Sequence, residues 1–114
     1  MIQIYHNSRC GKSRNCLALL EQSEKEFEVI NYLINPPSFE ELSAIIKKIN
    51  MKPIELVRQK EKICIDNFKD QKMSNEQIIQ AMIANPILIE RPIVIIENKA
   101  IIGRDLEKIK SFIS

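Results

Sequence analysis

Cys10 is the residue best placed to do chemistry, in the stretch Ser8-Arg9-Cys10-Gly11-Lys12-Ser13-Arg14. It falls where a short apolar strand hands over to a helix. A sulfur at that junction faces the unpaired amides of the first helical turn and the positive end of the helix dipole. Arg9, Lys12 and Arg14 add positive charge around it. Such surroundings lower a thiol pKa from about 8.5 towards or below neutrality, and the thiolate is the nucleophile. The same amides can receive an oxyanion. A lone cysteine is more often a small buried hydrophobe, but here the neighbours are polar and basic.

Cys10-Gly11-Lys12-Ser13 is a CxxS arrangement, with Ser13 where a dithiol motif has its second cysteine. The expected chemistry therefore uses one protein thiol, with an external thiol finishing the reaction. Cys16 follows in the same expected helix. Six residues of helix separate the two sulfurs by about 9 Å of rise, beyond the reach of a disulfide. Cys16 reads as core, and so does Cys64 within Lys62-Ile63-Cys64-Ile65. The position at which a C-x5-R phosphatase cradle needs arginine is occupied by Cys16, so any guanidinium for an oxyanion must come from elsewhere. Arg58, Arg91 and Arg104 are the candidates. Arg91 precedes Pro92 at the start of an apolar strand, and Arg104 follows Gly103 at the end of another. Strand ends are where α/β folds place ligands, although each arginine taken alone reads as a solvated surface residue. With 1 His and no CxxC spacing among the 3 Cys, no metal is expected.

The elements that must position these groups follow from periodicity. Ile2, Ile4 and Tyr5 open a strand that His6-Asn7-Ser8 ends. A helix is expected from Cys10-Gly11 to about Glu24, with Ser13, Cys16, Leu17 and Leu20 along one face. Phe27–Leu33 reads as a second strand before Asn35-Pro36-Pro37, which completes a βαβ unit. Ser38-Phe39-Glu40-Glu41 is a capping box opening a helix with Leu42, Ile45, Ile46 and Ile49 inward. Ser74 to Gln77 repeats the device ahead of Ile78, Ile79, Met82 and Ile83. Between them, Ile54 to Phe68 reads as one or two short helices. The period then changes: Pro92–Ile96 and Ala100–Ile102 are strands joined at Asn98-Lys99, and Asp105 caps a last helix carrying Leu106, Ile109 and Phe112. The order β-α-β, helices, β-β-α describes an α/β chain of thioredoxin-like fold. It has a central mixed sheet of about four strands flanked by helices, with a helical insertion between strands two and three.

The chain has 114 residues, 45% hydrophobic and 28% charged, which suits one domain spanning residues 1–114 with its own core. A net charge of +2 gives no basis for binding nucleic acid or a membrane surface. The start, MIQIYHNSRC, lacks a signal-peptide layout and no apolar run approaches spanning length. The free cysteines fit the reducing cytoplasm.

Three segments together carry a family resemblance. Tyr5-His6-Asn7-Ser8-Arg9-Cys10-Gly11-Lys12-Ser13-Arg14-Asn15 resembles the active-site segment of the glutaredoxin-coupled arsenate reductases. Tyr32-Leu33-Ile34-Asn35-Pro36-Pro37-Ser38 resembles their second strand and following turn. Asn85-Pro86-Ile87-Leu88-Ile89-Glu90-Arg91-Pro92-Ile93-Val94 resembles the approach to their third strand. The resemblance implies that Cys10 is the nucleophile and His6 the histidine just ahead of it, with Ser13 in support. It implies that Arg58, Arg91 and Arg104 form an oxyanion-binding trio and that Pro92 is the cis-proline of thioredoxin-like folds. It further implies arsenate as substrate, glutathione as co-substrate, glutaredoxin as partner and no bound cofactor, in a cytoplasmic monomer. A related glutathione-dependent thiol oxidoreductase acting on another substrate is the alternative. A redox regulator of the Spx type shares the fold, but those regulators carry CxxC as a disulfide switch, which Ser13 removes here.

Overall fold

A computed structural model of the chain describes residues 2–68, 72–103 and 105–113. It divides into two compact units, Met1–Asn35 with Arg91–Ser114, and Pro36–Glu90. Arg104 lies outside the described residues.

The first unit is built on a mixed four-stranded sheet in the order β2-β1-β3-β4. Its strands are β1 (Ile2–His6), β2 (Phe27–Asn31), β3 (Ile93–Ile96) and β4 (Lys99–Ile102). β1 pairs in parallel with β2 and antiparallel with β3, and β3 pairs antiparallel with β4. In the central strand β1, Ile2, Ile4, Tyr5 and His6 are all buried. Tyr5 lies on the face opposite Ile4 and His6, the pattern of a strand covered on both faces. The edge strand β2 leaves Glu28 and Val29 exposed.

Helix α1 (Gly11–Gln22) carries Cys16 and Leu20 at 0% exposure into one core with Ile2, Ile4, Val94, Ile109 and Ile113. The last two come from the closing helix, Leu106–Ile113. Asp105 caps that helix, its carboxylate accepting from the Glu107 amide at 3.0 Å, as its position in the sequence requires.

The second unit is the helical insertion between β2 and β3. Helix α2 (Phe39–Ile49) opens on Ser38 and Glu41, which bond each other's backbone amides at 3.0 and 3.1 Å. A 3-10 turn at Pro53–Leu56 and helix α3 (Lys62–Asn67) fill the stretch expected to be short helices. Helix α4 (Asn75–Ala84) begins with the same box, Ser74 with Gln77. A 3-10 turn at Pro86–Leu88 follows, and the closing helix, α5 in chain order, is the one already given as Leu106–Ile113.

Several boundaries differ from the periodicity. β2 ends at Asn31 rather than Leu33, because the Asn31 carbonyl accepts from the amides of Ile34 at 3.1 Å and Asn35 at 2.9 Å and turns the chain. Tyr32 is still fully buried, stacked on Tyr5 with ring centroids 6.2 Å apart. The hairpin turn is Glu97-Asn98, one residue earlier than expected, since Lys99 already pairs with Ile96. α1 stops at Gln22, and Glu24 beyond it takes φ 61°, a left-handed conformation that cannot continue a helix.

Candidate active site

Sheet register builds one end of the first unit. Tyr5 of β1 pairs with Ile93 of β3, and Ile93 with Ile102 of β4. The residues leaving β1 and those entering β3 therefore meet at the same end. That end holds His6, Asn7 and Cys10 from one segment and Arg91-Pro92 from the other, the peptide bond before Pro92 being cis.

Cys10 occupies the N-cap of α1 with extended backbone (φ −97°, ψ 123°). No acidic residue lies in the first turn, so nothing there offsets the positive end of the helix. The Cys10 amide donates to the Asn7 carbonyl at 3.0 Å, and its own carbonyl receives the Arg14 amide at 3.0 Å. These bonds fix the sulfur over the opening turn. Partial burial pushes the Cys10 thiol up, as desolvation must for an anion. The backbone amides of Ser13 and Lys12, aimed at the sulfur without closing a formal cap, act against that push. The Arg91 guanidinium adds a hydrogen bond and its charge. The balance leaves the thiol below its ordinary value.

The other two thiols are of a different kind. Burial alone raises Cys16 to about 11, and Cys64 is buried in the helical unit.

A polar core stands behind the nucleophile. Ser13 is fully buried, and its hydroxyl shares a 2.7 Å hydrogen bond with His6 Nδ1 while accepting the Asn7 amide at 3.0 Å. Burial lowers the His6 pKa below 6.5. A backbone hydrogen bond to Ser13 works the other way, and the charge of Arg14 lowers it further. His6 is accordingly neutral at pH 7.

Asn7, only 2% exposed, was not singled out from the sequence. Its side-chain oxygen accepts the Arg9 amide at 3.0 Å, its amide donates to Ser13 and its carbonyl accepts from Cys10. Asn7 thus ties together the amide of Arg9, the hydroxyl of Ser13 and the amide of Cys10. An asparagine between a strand and a helix start is the available signal, since Asn closes such turns on its own side chain.

Of the three candidate arginines, the structure brings Arg91 to Cys10. Arg58 belongs to the helical unit, held in an extended segment by its amide to the Leu88 carbonyl at 2.7 Å and by the Val57–Ile89 bridge. Its guanidinium pairs with Glu61 and, at 3.8 Å, with Glu90. Arg104, again, is outside the described residues. Among the described residues no group of three His, Cys, Asp or Glu could hold a metal ion, and no helix is long and apolar enough to cross a membrane.

An activated thiol at a helix start, one guanidinium on the sulfur and a cis-proline beside it suit attack on an oxyanion. The family model that matches this chain, over residues 5–112, is that of the ArsC family. The chain belongs to the ArsC family. An arsenate reductase of Neisseria meningitidis is 37% identical to it over 112 residues, covering 96% of each chain. The uncharacterized protein YfgD of Escherichia coli (strain K12) is 44% identical over 110 residues, 95% of this chain and 92% of its own. The structure of an arsenate reductase from Vibrio cholerae superposes with a TM-score of 0.90 at 38% identity, over 96% of this chain and 95% of that one. The ArsC assignment thus covers both the thioredoxin-like unit and its helical insertion.

Proposed function

We propose that this ArsC-family chain is an arsenate reductase that works through Cys10, with glutathione and glutaredoxin as reductants. The observation that supports it best is the Arg91 guanidinium on the Cys10 sulfur, where its hydrogen bond and charge help hold the thiol below its ordinary pKa. A nucleophile and an anion-binding donor fork at one point suit arsenate, whose negative charge would otherwise repel a thiolate.

Cys10 attacks arsenic of arsenate, forming a sulfur–arsenic bond as one arsenate oxygen leaves as water. Arg91, with Arg58 and Arg104, neutralises the remaining oxygens. The thiol of glutathione condenses at the same arsenic and releases a second water. A glutaredoxin thiol then attacks the glutathione sulfur. The new bond is the glutaredoxin–glutathione disulfide, and the electron pair of the broken sulfur–arsenic bond takes arsenic from the +5 to the +3 state. Water hydrolyses the last bond to Cys10, freeing arsenite and the thiol. One protein cysteine suffices, in keeping with Ser13 at the fourth position of the motif. Arg58 starts from pairing with Glu61 and Glu90, so its part requires those carboxylates to yield to the oxyanion.

The test is arsenite production with the reductants varied. Activity needing both glutathione and glutaredoxin, and not supported by thioredoxin with its reductase, is the expected result. Arsenite formation driven by thioredoxin alone would overturn the assignment of reductants. No arsenite under any reductant, with Cys10 still reactive, would move the substrate to another electrophile.

A further inference from the structure

We propose that Gly103 is a positioning residue for the thiolate site: its missing side chain lets Pro92 seat against the sheet end and so holds the Arg91 guanidinium on Cys10. The proposal rests on the contact between Cys10 and Arg91 and is independent of arsenate as substrate.

The register places Gly103 beside the residue before β3. Ile102 pairs with Ile93, and one residue further on the Gly103 amide donates to the Pro92 carbonyl at 2.7 Å. No glycine here has positive φ, so backbone freedom does not account for this one. Space does. A Cβ at position 103 would stand 2.9 Å from Ile109 Cδ1, 3.0 Å from Pro92 Cγ and 3.2 Å from Cys16 Sγ. Gly11, by contrast, would meet only an Arg14 side-chain nitrogen at 3.7 Å.

The three neighbours would yield differently. Ile109 can turn its terminal methyl aside into another rotamer. Cys16 is seated in the core of α1 at 0% exposure. Pro92 is itself buried, and its Cγ can give way only by repuckering a ring closed onto its own backbone nitrogen, so relief there is coupled to the backbone that carries Arg91 one residue away. Displacement of even a fraction of an ångström matters for a guanidinium hydrogen bond, which weakens steeply with geometry. Gly103 acts through Pro92 and Arg91, as a positioning residue.

The experiment follows the pH dependence of Cys10 alkylation by iodoacetamide in the intact protein, read by mass spectrometry of the Cys10 peptide. Four variants are compared with wild type: Gly103→Ala, Arg91→Ala, their combination, and Gly103→Ala with Ile109→Val. Gly103→Ala is expected to move the midpoint upward and to slow alkylation at neutral pH several-fold. Arg91→Ala should do the same, and the combination should be no slower than Arg91→Ala alone, since both act on one contact. Ile109→Val deletes the methyl nearest the new Cβ and should recover thermal stability while the midpoint stays raised, because the clash with Pro92 persists. This last variant also carries the comparison if Gly103→Ala alone folds poorly. An unmoved midpoint in Gly103→Ala, an additive effect in the Arg91→Ala background, or a midpoint that returns with stability would each overturn the proposal. None of these readings uses arsenate, so a failed arsenate assay leaves them intact.

Discussion

The Ser13 hydroxyl shares a 2.7 Å hydrogen bond with His6 Nδ1, and both groups are buried behind the nucleophile rather than open to a substrate. The same oxygen accepts the Asn7 amide. Ser13 is therefore the joint between the end of β1, the loop and the first turn of α1. Ser13→Ala removes both bonds and leaves a buried amide without its acceptor, which costs about 1–3 kcal/mol. Urea unfolding should show the midpoint lowered with an unchanged slope. A midpoint equal to wild type would refute the structural role of this hydroxyl.

Burial of neutral His6 makes stability depend on pH in a definite direction. Its folded pKa lies below the ordinary 6.5. As pH falls through 6.5, the unfolded chain takes up a proton that the folded chain refuses, so the unfolded state gains. Stability contributed by His6 is thus present above 6.5 and lost on acidification through the folded pKa. The chain has 1 His, so the fall in Tm between pH 7 and about 5.5, above the ordinary carboxylate range, should flatten in His6→Gln. An equal fall in that variant would contradict the assignment.

Cys10 should be the reactive thiol. Iodoacetamide at neutral pH is expected to label Cys10 and to leave Cys16, fully buried with a pKa raised to about 11, unmodified in the folded protein. Arg91→Ala should shift the Cys10 profile upward, since the guanidinium favours the anion by hydrogen bond and charge. The linked stability runs the same way. It is present above the ordinary thiol value and lost as pH falls through the depressed one. Labelling of Cys16 ahead of Cys10 would refute this account of the site.

Glu24 holds φ 61° just past the end of α1. An L side chain is strained there and glycine is not. Glu24→Gly should stabilise the fold by about 1 kcal/mol, against the usual loss from introducing glycine, read as a raised Tm. The corresponding residue after α2 is Asn50, at φ 63°, a residue type that tolerates this region, so Asn50→Gly should gain much less. A fall in Tm for Glu24→Gly would contradict the strain argument.

Local signals in the sequence were sufficient where the physics is local. The two Ser-led capping boxes open α2 and α4 where their spacing places them, and Cys10 stands at a strand-to-helix junction with its charged neighbours. Cys16 and Cys64 are buried, as their apolar settings suggest. What escaped the sequence depends on pairing across distance. The end of β2 is decided by the Asn31 carbonyl, not by the apolar Tyr32 and Leu33 that follow. The hairpin turn is decided by the pairing of Ile96 with Lys99. The many bonds of Asn7, and Glu90 on Arg58, exist only once the chain has turned. The contact of Arg91 with Cys10 is likewise a product of register, since β1 and β3 run antiparallel and share an end.

Arsenate-dependent NADPH oxidation, coupled through glutathione, glutaredoxin and glutathione reductase, tests the central claim when wild type is run beside Cys10→Ser. The account predicts turnover in wild type that requires arsenate and vanishes in a folded Cys10→Ser protein. Turnover that survives the loss of Cys10 would contradict it.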